Sequence, residues 1–426
     1  MKMPRLTCFG ALALAVSCVA SLRADGLVRD GIGPISSGRG GTNIAFGDNG
    51  AILNDNPAGM ANIQSNGLYE VAVDTVFTHL NYTDADPNSL HNASRPTPSP
   101  ELAYFRKSAD GRFTWGVGAY AVAGFCASYQ MNQPLFGPQK EHYQSIGAFG
   151  RLLPGIAYQV NDRLSVGIAV GLGVCHVEFE GPFFLQTGAL AGAPARLDFQ
   201  GTGVAPTGTL GMQYKWDDAT TVGLAYTEET NFNLDGVTRA DLLPIGQSSR
   251  FDSSMHIVWP RSLGIGIKHN LCDCQRISCD VIWYDWSHAF DTIDISLRNS
   301  SNPIIPAIVG PTINDSLPTY WHDSVSMRLG YEWSPTDIDV LRCGYVYHKS
   351  PTPNSTLNPY LDGVLEHAFS VGWSRKVQRC VVNLAYQYSF SPTREVTQSD
   401  FVGGDFANST FKAQAHWASI GFLVPF

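Results

Sequence analysis

Apolar and polar residues alternate with a period of two along much of the chain, which is the pattern of β-strands with unlike faces. In residues 164–174 every second side chain is aliphatic, while the residues between are small. The same alternation occurs in 324–333, in 382–390 and in the last residues, 416–426. We count about 14 such segments, which predicts an all-β protein.

The last of these segments has an apolar face and ends on an aromatic residue. Ala418, Ile420, Phe422 and Val424 lie on one face, and Phe426 follows them. An apolar outward face and a terminal aromatic are typical of the closing strand of a bacterial outer-membrane β-barrel. We therefore expect one face of the protein to meet lipid.

The connections between the predicted strands alternate in length. Long connections such as Gly181–Thr202 and Gly236–Trp259 alternate with short ones such as Trp216–Ala219, without exception. Outer-membrane barrels have short periplasmic turns and longer extracellular loops, whereas a soluble β-sandwich follows no such rule. The pattern predicts a transmembrane antiparallel β-barrel of about 14 strands.

The first residues, 1–24, have the pattern of a signal peptide. Lys2 and Arg5 precede the apolar run Phe9–Val19, and small residues follow. This run is too short to span a bilayer as a helix, and no later run reaches about 18 apolar residues. The residues before Cys18 form only a weak lipoprotein motif, so we favour an ordinary export signal.

Composition and charge agree with a barrel but are less specific. The mean hydropathy of −0.06 suits strands whose lipid-facing and lumen-facing residues alternate. The 42 Gly, 17 Tyr, 22 Phe and 9 Trp are residues that barrel walls use, although a soluble all-β protein could share them. The net charge of −9 argues against nucleic acid as a partner.

The chain has nine cysteines, of which Cys8 and Cys18 fall in the signal peptide. The remaining seven are an odd number, which implies at least one free thiol or an intermolecular bond. Cys272, Cys274 and Cys279 cluster, but a zinc site would need a second pair of cysteines or histidines at similar spacing. We favour a local disulfide or free thiols, and expect no metal and no cofactor.

A Gly-rich leader before the first strand carries the most specific motif. Its parts are Ser36–Gly41 (SSGRGG), Gly47–Gly50 (GDNG) and Asn56–Ala61 (NPAGMA). This leader resembles that of the FadL family, outer-membrane transporters for long-chain fatty acids and other hydrophobic compounds. The resemblance extends along most of the chain. It also includes Trp115-Gly116, Tyr120, Gly124-Phe125, Trp283–Ser287, Ser350–Pro353 and the terminal Phe426.

The resemblance implies a monomeric barrel, 67–426, plugged by an N-terminal hatch, 25–66. It implies that substrate is caught among the extracellular loops, passes to a pocket inside, and leaves sideways through a gap where the third strand kinks inward. An apolar solute gains about 0.8 kcal/mol per CH₂ on leaving water. Release into the membrane would therefore need no energy source.

Two groups of site residues follow from the resemblance. Asn56, Pro57 and Ala58 match the family motif and are expected to pack the hatch against the wall near the gap. The alternative is a turn that merely leads into the first strand. Gly124 and Phe125 lie near the expected kink, although a strand glycine can equally leave lumen space for the hatch.

Apolar residues in two long connections are candidates for substrate capture. Phe183, Phe184 and Leu185 lie in one of them, and Leu242 and Leu243 in the other. They either line an apolar groove or hold the loops against each other. A carboxylate substrate would also need a cation beside its headgroup. The available cations are Arg39, Arg196, Arg239, Arg261 and Lys268.

The residues His322, Asp323 and Ser324 offer the parts of a hydrolase triad. Adjacent residues of a strand point to opposite faces, so by themselves they cannot form the hydrogen-bonded chain that catalysis needs. We expect no enzyme activity.

The sequence therefore predicts a passive transporter in the bacterial outer membrane for long-chain fatty acids or other hydrophobic molecules such as aromatic hydrocarbons. Its expected partners are outer-membrane lipids and, through Phe426, the outer-membrane assembly machinery. A general porin and a structural or adhesive surface barrel are the alternatives.

Overall fold

The computed structural model describes residues 27–86, 88–92, 96–361 and 363–426, so the predicted signal peptide lies outside the described residues. Within these ranges the backbone forms 20 strands. In chain order they are β1 (Gly67–Thr83), β2 (Ser89–His91), β3 (Thr97–Lys107), β4 (Phe113–Asn132), β5 (Lys140–Gln159), β6 (Leu164–Phe184), β7 (Pro194–Lys215), β8 (Thr220–Thr227), β9 (Thr230–Leu242), β10 (Gln247–Trp259), β11 (Ser262–Cys272), β12 (Gln275–Tyr284), β13 (Thr292–Arg298), β14 (Thr312–Pro318), β15 (Ser324–Trp333), β16 (Asp339–Tyr347), β17 (His367–Val377), β18 (Cys380–Phe390), β19 (Arg394–Val396) and β20 (Ser409–Pro425).

Fourteen of the described strands close into an antiparallel barrel, which confirms the predicted fold class. Around the barrel they follow chain order: β1, β3, β4, β5, β6, β7, β8, β11, β12, β15, β16, β17, β18 and β20. The closing ladder starts with Leu68 opposite Pro425. Beyond it, Gly67 and Phe426 exchange backbone hydrogen bonds of 2.9 and 3.0 Å.

The outward face of the barrel is the apolar face that the alternation predicts. On β6 the side chains that point outward are exposed and aliphatic, while Ser165 and Ala169 between them are buried. The exposed set on this strand is Val166, Ile168, Val170, Leu172 and Val174. These residues span about 26 Å of strand, at 3.3 Å per residue. A strand tilted by about 45° crosses a bilayer with about 9–11 residues, and the set from Val166 to Val174 spans nine.

Four further strands continue the wall beyond this band. β9 pairs with the first part of β7, β10 with β9, β13 with β10, and β14 with β13. Only residues 228–229 separate β8 from β9, so the pair is one barrel strand that continues outward after a break. The prediction that Gly236–Trp259 is a loop was wrong, because most of it forms the β9–β10 hairpin. Likewise, β6 and β7 shorten the predicted loop Gly181–Thr202 to residues 185–193.

Helices are few and short in the described residues. They are α1 (Gly33–Gly38), α2 (Ile52–Asp55), α3 (Trp286–Ala289) and α4 (Ile304–Val309), with 3₁₀ turns at Pro57–Asn62, Pro134–Phe136, Gly188–Leu190, Leu243–Ile245, Asn354–Thr356 and Val402–Gly404. In the part of the chain that the structure describes, none of these helices has the length and apolar character needed to traverse a bilayer.

Replacing Val170 with arginine tests the assignment of the lipid-facing band. Val170 lies in the middle of the apolar set on β6 and is 56% exposed. Arginine there should destabilise the barrel in lipid vesicles by about 2–4 kcal/mol, because its charge would lie in the hydrocarbon. The measurement is a urea titration followed by tryptophan fluorescence. Glu180→Arg, farther along the same strand and beyond the band, should change stability by less than about 1 kcal/mol. Equal losses in both variants would contradict the assignment.

Candidate functional site

Residues 27–66 lie inside the barrel and touch its wall on several sides; we call them the hatch. α1 packs against β16, β17, β18 and β20, and the turn Pro57–Asn62 packs against β5, β6 and β7. Several of the wall positions that face the hatch are glycines, where a Cβ atom would overlap hatch atoms. They are Gly155, Gly167, Gly211, Gly223, Gly264, Gly330, Gly344 and Gly372. The glycines of the wall thus provide the space in which the hatch lies.

Arg39 holds the hatch together from within. Its Nη1 donates to Asp48 Oδ2 at 2.9 Å, its Nη2 donates to Asn43 Oδ1 at 2.6 Å, and its guanidinium lies 3.4 Å from the ring centroid of Phe46. Burial acts to raise the pKa of the Asp48 carboxyl, but the Arg39 guanidinium holds that pKa below its ordinary value. Arg39 is fully buried and already paired, so it does not offer a free cation to a substrate.

The Asn-Pro-Ala motif fixes the hatch to β6 and β7. Asn56 Nδ2 donates to the carbonyl of Ile44 at 2.7 Å and to that of Met212 on β7 at 3.1 Å. Its Oδ1 accepts from the Ala58 amide at 3.2 Å and caps the 3₁₀ turn that Pro57 begins. The structure therefore places these residues at a wall contact on β6 and β7, whereas Gly124 and Phe125 lie on β4.

β4 is the third strand of the barrel, and it carries an irregularity. Its register with β5 shifts between Ala121 and Ala123, so Val122 is an extra residue in β4. The ladder between β3 and β4 ends at the pair Glu101–Tyr120. Beyond it, among the described residues, β3 pairs only with β1.

A short segment of the hatch occupies the β4 edge that β3 leaves. Val28 pairs with Ala123 in an antiparallel bridge. The Arg29 amide donates to the carbonyl of Val122, and the Gly124 amide donates to the carbonyl of Leu27, both at 3.3 Å. The predicted residue Gly124 thus lies two positions after the irregularity and bonds to the hatch.

The Arg29 side chain connects this edge of β4 to β1 and β20. Its Nη1 donates to the Ala121 carbonyl on β4 at 2.9 Å, and its Nη2 pairs with the Asp74 carboxylate on β1. The guanidinium also lies 5.0 Å from the ring centroid of Trp417 on β20. Because its side chain is only 6% exposed, this ion pair is well shielded from water.

An apolar pocket lies above the hatch. Its empty space is about 710 Å³, including a part open to solvent. Phe125, the second predicted residue of the β4 region, contributes to its lining. The remaining lining side chains come from β5, β6, β7, β10, β13, β14 and the segment 360–361. They are Ser145, Val177, Glu178, Phe179, Phe183, Leu197, Phe199, Met255, Ile257, Ile293, Ile295, Asp315, Leu317, Tyr360 and Leu361.

Of the five residues predicted to capture substrate, one lines the apolar pocket and the other four lie outside its lining. Phe183 lines the pocket. Leu185 and Leu242 are buried, at 2% and 3% exposure, in a cluster that joins the extracellular strands. Phe184 packs edge-on against Phe136, with ring centroids 5.8 Å apart, and Leu243 is half-buried in its own 3₁₀ turn.

The other candidate cations are also occupied. Arg196 binds Glu141 through Nε and Nη2 at 2.9 and 2.6 Å. Arg261 binds Asp285, and the exposed Arg239 lies 3.8 Å from Asp198. Lys268 lies 5.3 Å from the Phe46 ring centroid. None of these four residues lines the apolar pocket.

The hydrolase-like residues His322, Asp323 and Ser324 are not arranged as a catalytic triad in the described part of the chain. Asp323 accepts from the Trp283 indole at 3.2 Å and from the Ser287 amide at 3.1 Å. The buried Ser324 hydroxyl has no hydrogen-bond partner there, so nothing activates it. The described residues contain no group of three or more metal-binding side chains.

Sequence reasoning missed most of the pocket lining. Phe199, Met255 and Ile257 lie on strands that continue beyond the membrane band, in segments predicted as loops, and Ile295 lies on β13 of the same extension. The sequence pattern that could have identified these strands is the reverse of the pattern in the membrane band, with apolar side chains inward and polar ones outward. The hairpin residues Phe232, Asn233 and Leu234 show it.

The chain belongs to a known family of outer-membrane proteins. Residues 35–426 match the family described as "Outer membrane protein transport protein (OMPP1/FadL/TodX)". The protein is therefore a bacterial outer-membrane protein of a family of hydrophobic-compound transporters, whose members are transport channels rather than enzymes.

Solved structures share the fold at low sequence identity. The toluene transporter TodX of P. putida is 20% identical, with a TM-score of 0.78 over 93% of this chain and 99% of that one. The toluene transporter TbuX of Ralstonia pickettii is 20% identical, with a TM-score of 0.74 over 93% and 99%. A FadL homologue of Pseudomonas aeruginosa is 18% identical, with a TM-score of 0.74 over 94% and 100%. A comparison with curated protein sequences finds no match.

Replacing Gly167 with alanine tests how the hatch is held. A Cβ atom at this position would overlap the backbone of Pro57 and Ala58. The hatch should shift, and single-channel conductance in planar bilayers should rise above that of the wild type. Gly150→Ala is the matched control, since the nearest atom to its Cβ is the Tyr120 carbonyl oxygen at 3.5 Å. Equal conductance in the two variants would show that this contact does not hold the hatch.

Proposed function

We propose that this protein is a passive channel that takes up uncharged hydrophobic molecules, such as aromatic hydrocarbons, and releases them sideways into the outer membrane. Long-chain fatty acids are the second substrate class that the family allows. In this proposal the protein acts as a monomer among outer-membrane lipids and catalyses no reaction.

The charged residues in the lining of the apolar pocket are the basis for choosing between the two substrate classes. Its described lining includes the acidic residues Asp315 and Glu178 and no Lys, Arg or His, and the Glu178 carboxylate bonds to His176 and Gln200. Asp315 is held by the Gln186 and Thr187 amides at 2.9 and 2.8 Å. A fatty-acid carboxylate here would have no cation to pair with and would lose its hydration, which is costly. A neutral hydrocarbon meets no such penalty.

The aromatic side chains of the pocket favour a flat ligand. The ring centroids of Phe179 and Tyr360 lie 4.2 Å apart, and those of Phe179 and Phe183 lie 6.0 Å apart. Aromatic rings attract one another in tilted and edge-to-face geometries at such separations. An aromatic solute in the pocket would find partners of the same kind.

The position of the pocket supports lateral release. Phe125 belongs both to the pocket lining and to β4, three residues beyond Val122. The wall beside this stretch is completed by Leu27–Arg29 of the hatch rather than by β3. Moving this one segment would open a path from the pocket toward the bilayer. The transfer is downhill, because each CH₂ that leaves water contributes about 0.8 kcal/mol.

Uptake of two labelled compounds tests the proposal. In cells that lack their own hydrophobic-compound transporters, the wild-type protein should restore uptake of toluene and not of oleate. Phe179→Ala should lower toluene uptake by roughly tenfold, the effect of about 1.4 kcal/mol of lost aromatic contact. Phe369→Ala is the matched control, because Phe369 is 54% exposed on the lipid face.

Other outcomes separate the alternatives. Uptake of oleate but not of toluene would contradict the neutral-ligand assignment and retain the transporter. Uptake of neither compound by a correctly inserted barrel would contradict both substrate classes. A large constitutive ion conductance in planar bilayers would favour a general porin.

A further inference from the structure

Two cysteines meet at the tip of one short turn. Cys272 is the last residue of β11, Cys274 directly precedes β12, and their Sγ atoms lie 2.9 Å apart. Both residues are exposed. The clustering of cysteines in the sequence did not show which of them would meet.

The backbone holds the two thiols in place. Cys272 pairs with Gln275 across the hairpin, after an irregularity in the ladder that follows Asn270. The carbonyl of Cys274 accepts a hydrogen bond of 2.8 Å from the Ser334 amide in the next turn. Even on an extended strand, residues two apart have Cα atoms about 6.6 Å apart, so the Cα atoms of Cys272 and Cys274 in this turn lie within the span that a disulfide accepts. Closing the bond to its length of about 2.05 Å therefore needs only a small movement of the side chains.

Cys279, the third member of the sequence cluster, lies elsewhere. It is on β12, opposite Ile267 of β11 and Leu329 of β15. Both of these neighbours are exposed on the apolar outer face of the barrel. Cys279 lies four positions after Gln275, the start of β12, which is about 13 Å of strand. This thiol faces lipid and is out of reach of the turn.

The surroundings of the turn are oxidising. The turn lies at the end of the barrel where Gly67 and Phe426 meet, together with the other short connections, and in outer-membrane barrels this end faces the periplasm. Disulfides form and persist in the bacterial periplasm because dedicated protein disulfides keep it oxidising.

We propose that Cys272 and Cys274 are a thiol–disulfide exchange site that forms a reversible disulfide with a periplasmic protein disulfide as oxidant. The thiolate of one cysteine attacks a sulfur of that disulfide, which gives a mixed disulfide and releases one thiolate of the oxidant. The second cysteine, as its thiolate, then attacks the first and displaces the other sulfur of the oxidant. The two cysteines lose two protons and two electrons, and the oxidant is reduced to a dithiol.

Peptide mapping of the whole protein tests this directly. Trypsin cleavage after Lys268 and Arg276 yields the peptide His269–Arg276, which contains these two cysteines and no other. Outer membranes are quenched in acid, and accessible thiols are alkylated with N-ethylmaleimide before and after reduction. We expect this peptide to be two hydrogens lighter than its dithiol form and to take up two labels only after reduction. The purified barrel should interconvert the two forms when the ratio of reduced to oxidised glutathione is varied.

Two variants complete the test. In Cys272→Ser, the remaining Cys274 should be labelled without reduction or be recovered as a mixed disulfide. Cys279→Ser should leave the disulfide of the peptide His269–Arg276 unchanged. Full labelling of both wild-type thiols without reduction, with no change under oxidised glutathione, would overturn the proposal.

Discussion

The structure depends on one constraint, namely that backbone amides and carbonyls facing the bilayer core must be hydrogen-bonded within the protein. A closed barrel meets this requirement with its ladders, and the pairing of β20 with β1 completes the ring. β4 is the exception, because β3 accompanies it only as far as Tyr120. Pro98 and Pro100 occupy β3 just beyond this point, and neither has an amide hydrogen to donate.

The hatch supplies the backbone hydrogen-bond partners that β3 does not provide for β4. Leu27, Val28 and Arg29 bond to β4 at Val122–Gly124, so that a segment of the plug also serves as a piece of the wall. Because Leu27–Arg29 belongs to both the hatch and the wall, this segment cannot move without uncovering the β4 edge. The ion pair of Arg29 with Asp74 opposes that movement, while the anchor at Asn56 lies on β6 and β7. Asn56 thus anchors the hatch at β7, whereas at β4 the segment Leu27–Arg29 is held by a few polar contacts.

Much of this architecture was predictable from the sequence, since lipid imposes a simple pattern on a strand. The alternation in 164–174 identified both the strand and its outward face. Gly124, which the resemblance places near a kink, lies on β4, the strand with the irregularity. Val122 itself gave no signal, because an extra residue in a strand shows only in the register with its partner. The extracellular hairpin was missed because its apolar side chains, such as Phe232 and Leu234, point inward rather than toward lipid. The roles of Arg29 and Asp74 depend on contacts between residues 45 positions apart, which no local pattern reports.

We propose that the segment Leu27–Arg29 closes a lateral exit beside β4. Val28 and Ala123 form a direct antiparallel pair, so cysteines at these two positions, in a background with the other cysteines replaced, can be joined by a disulfide. The decisive measurement is toluene uptake by this variant before and after reduction. We expect the oxidised protein to take up almost no toluene and reduction to restore the uptake. Equal uptake by the oxidised and reduced forms would contradict it, because substrate would then leave by a path that this segment does not close.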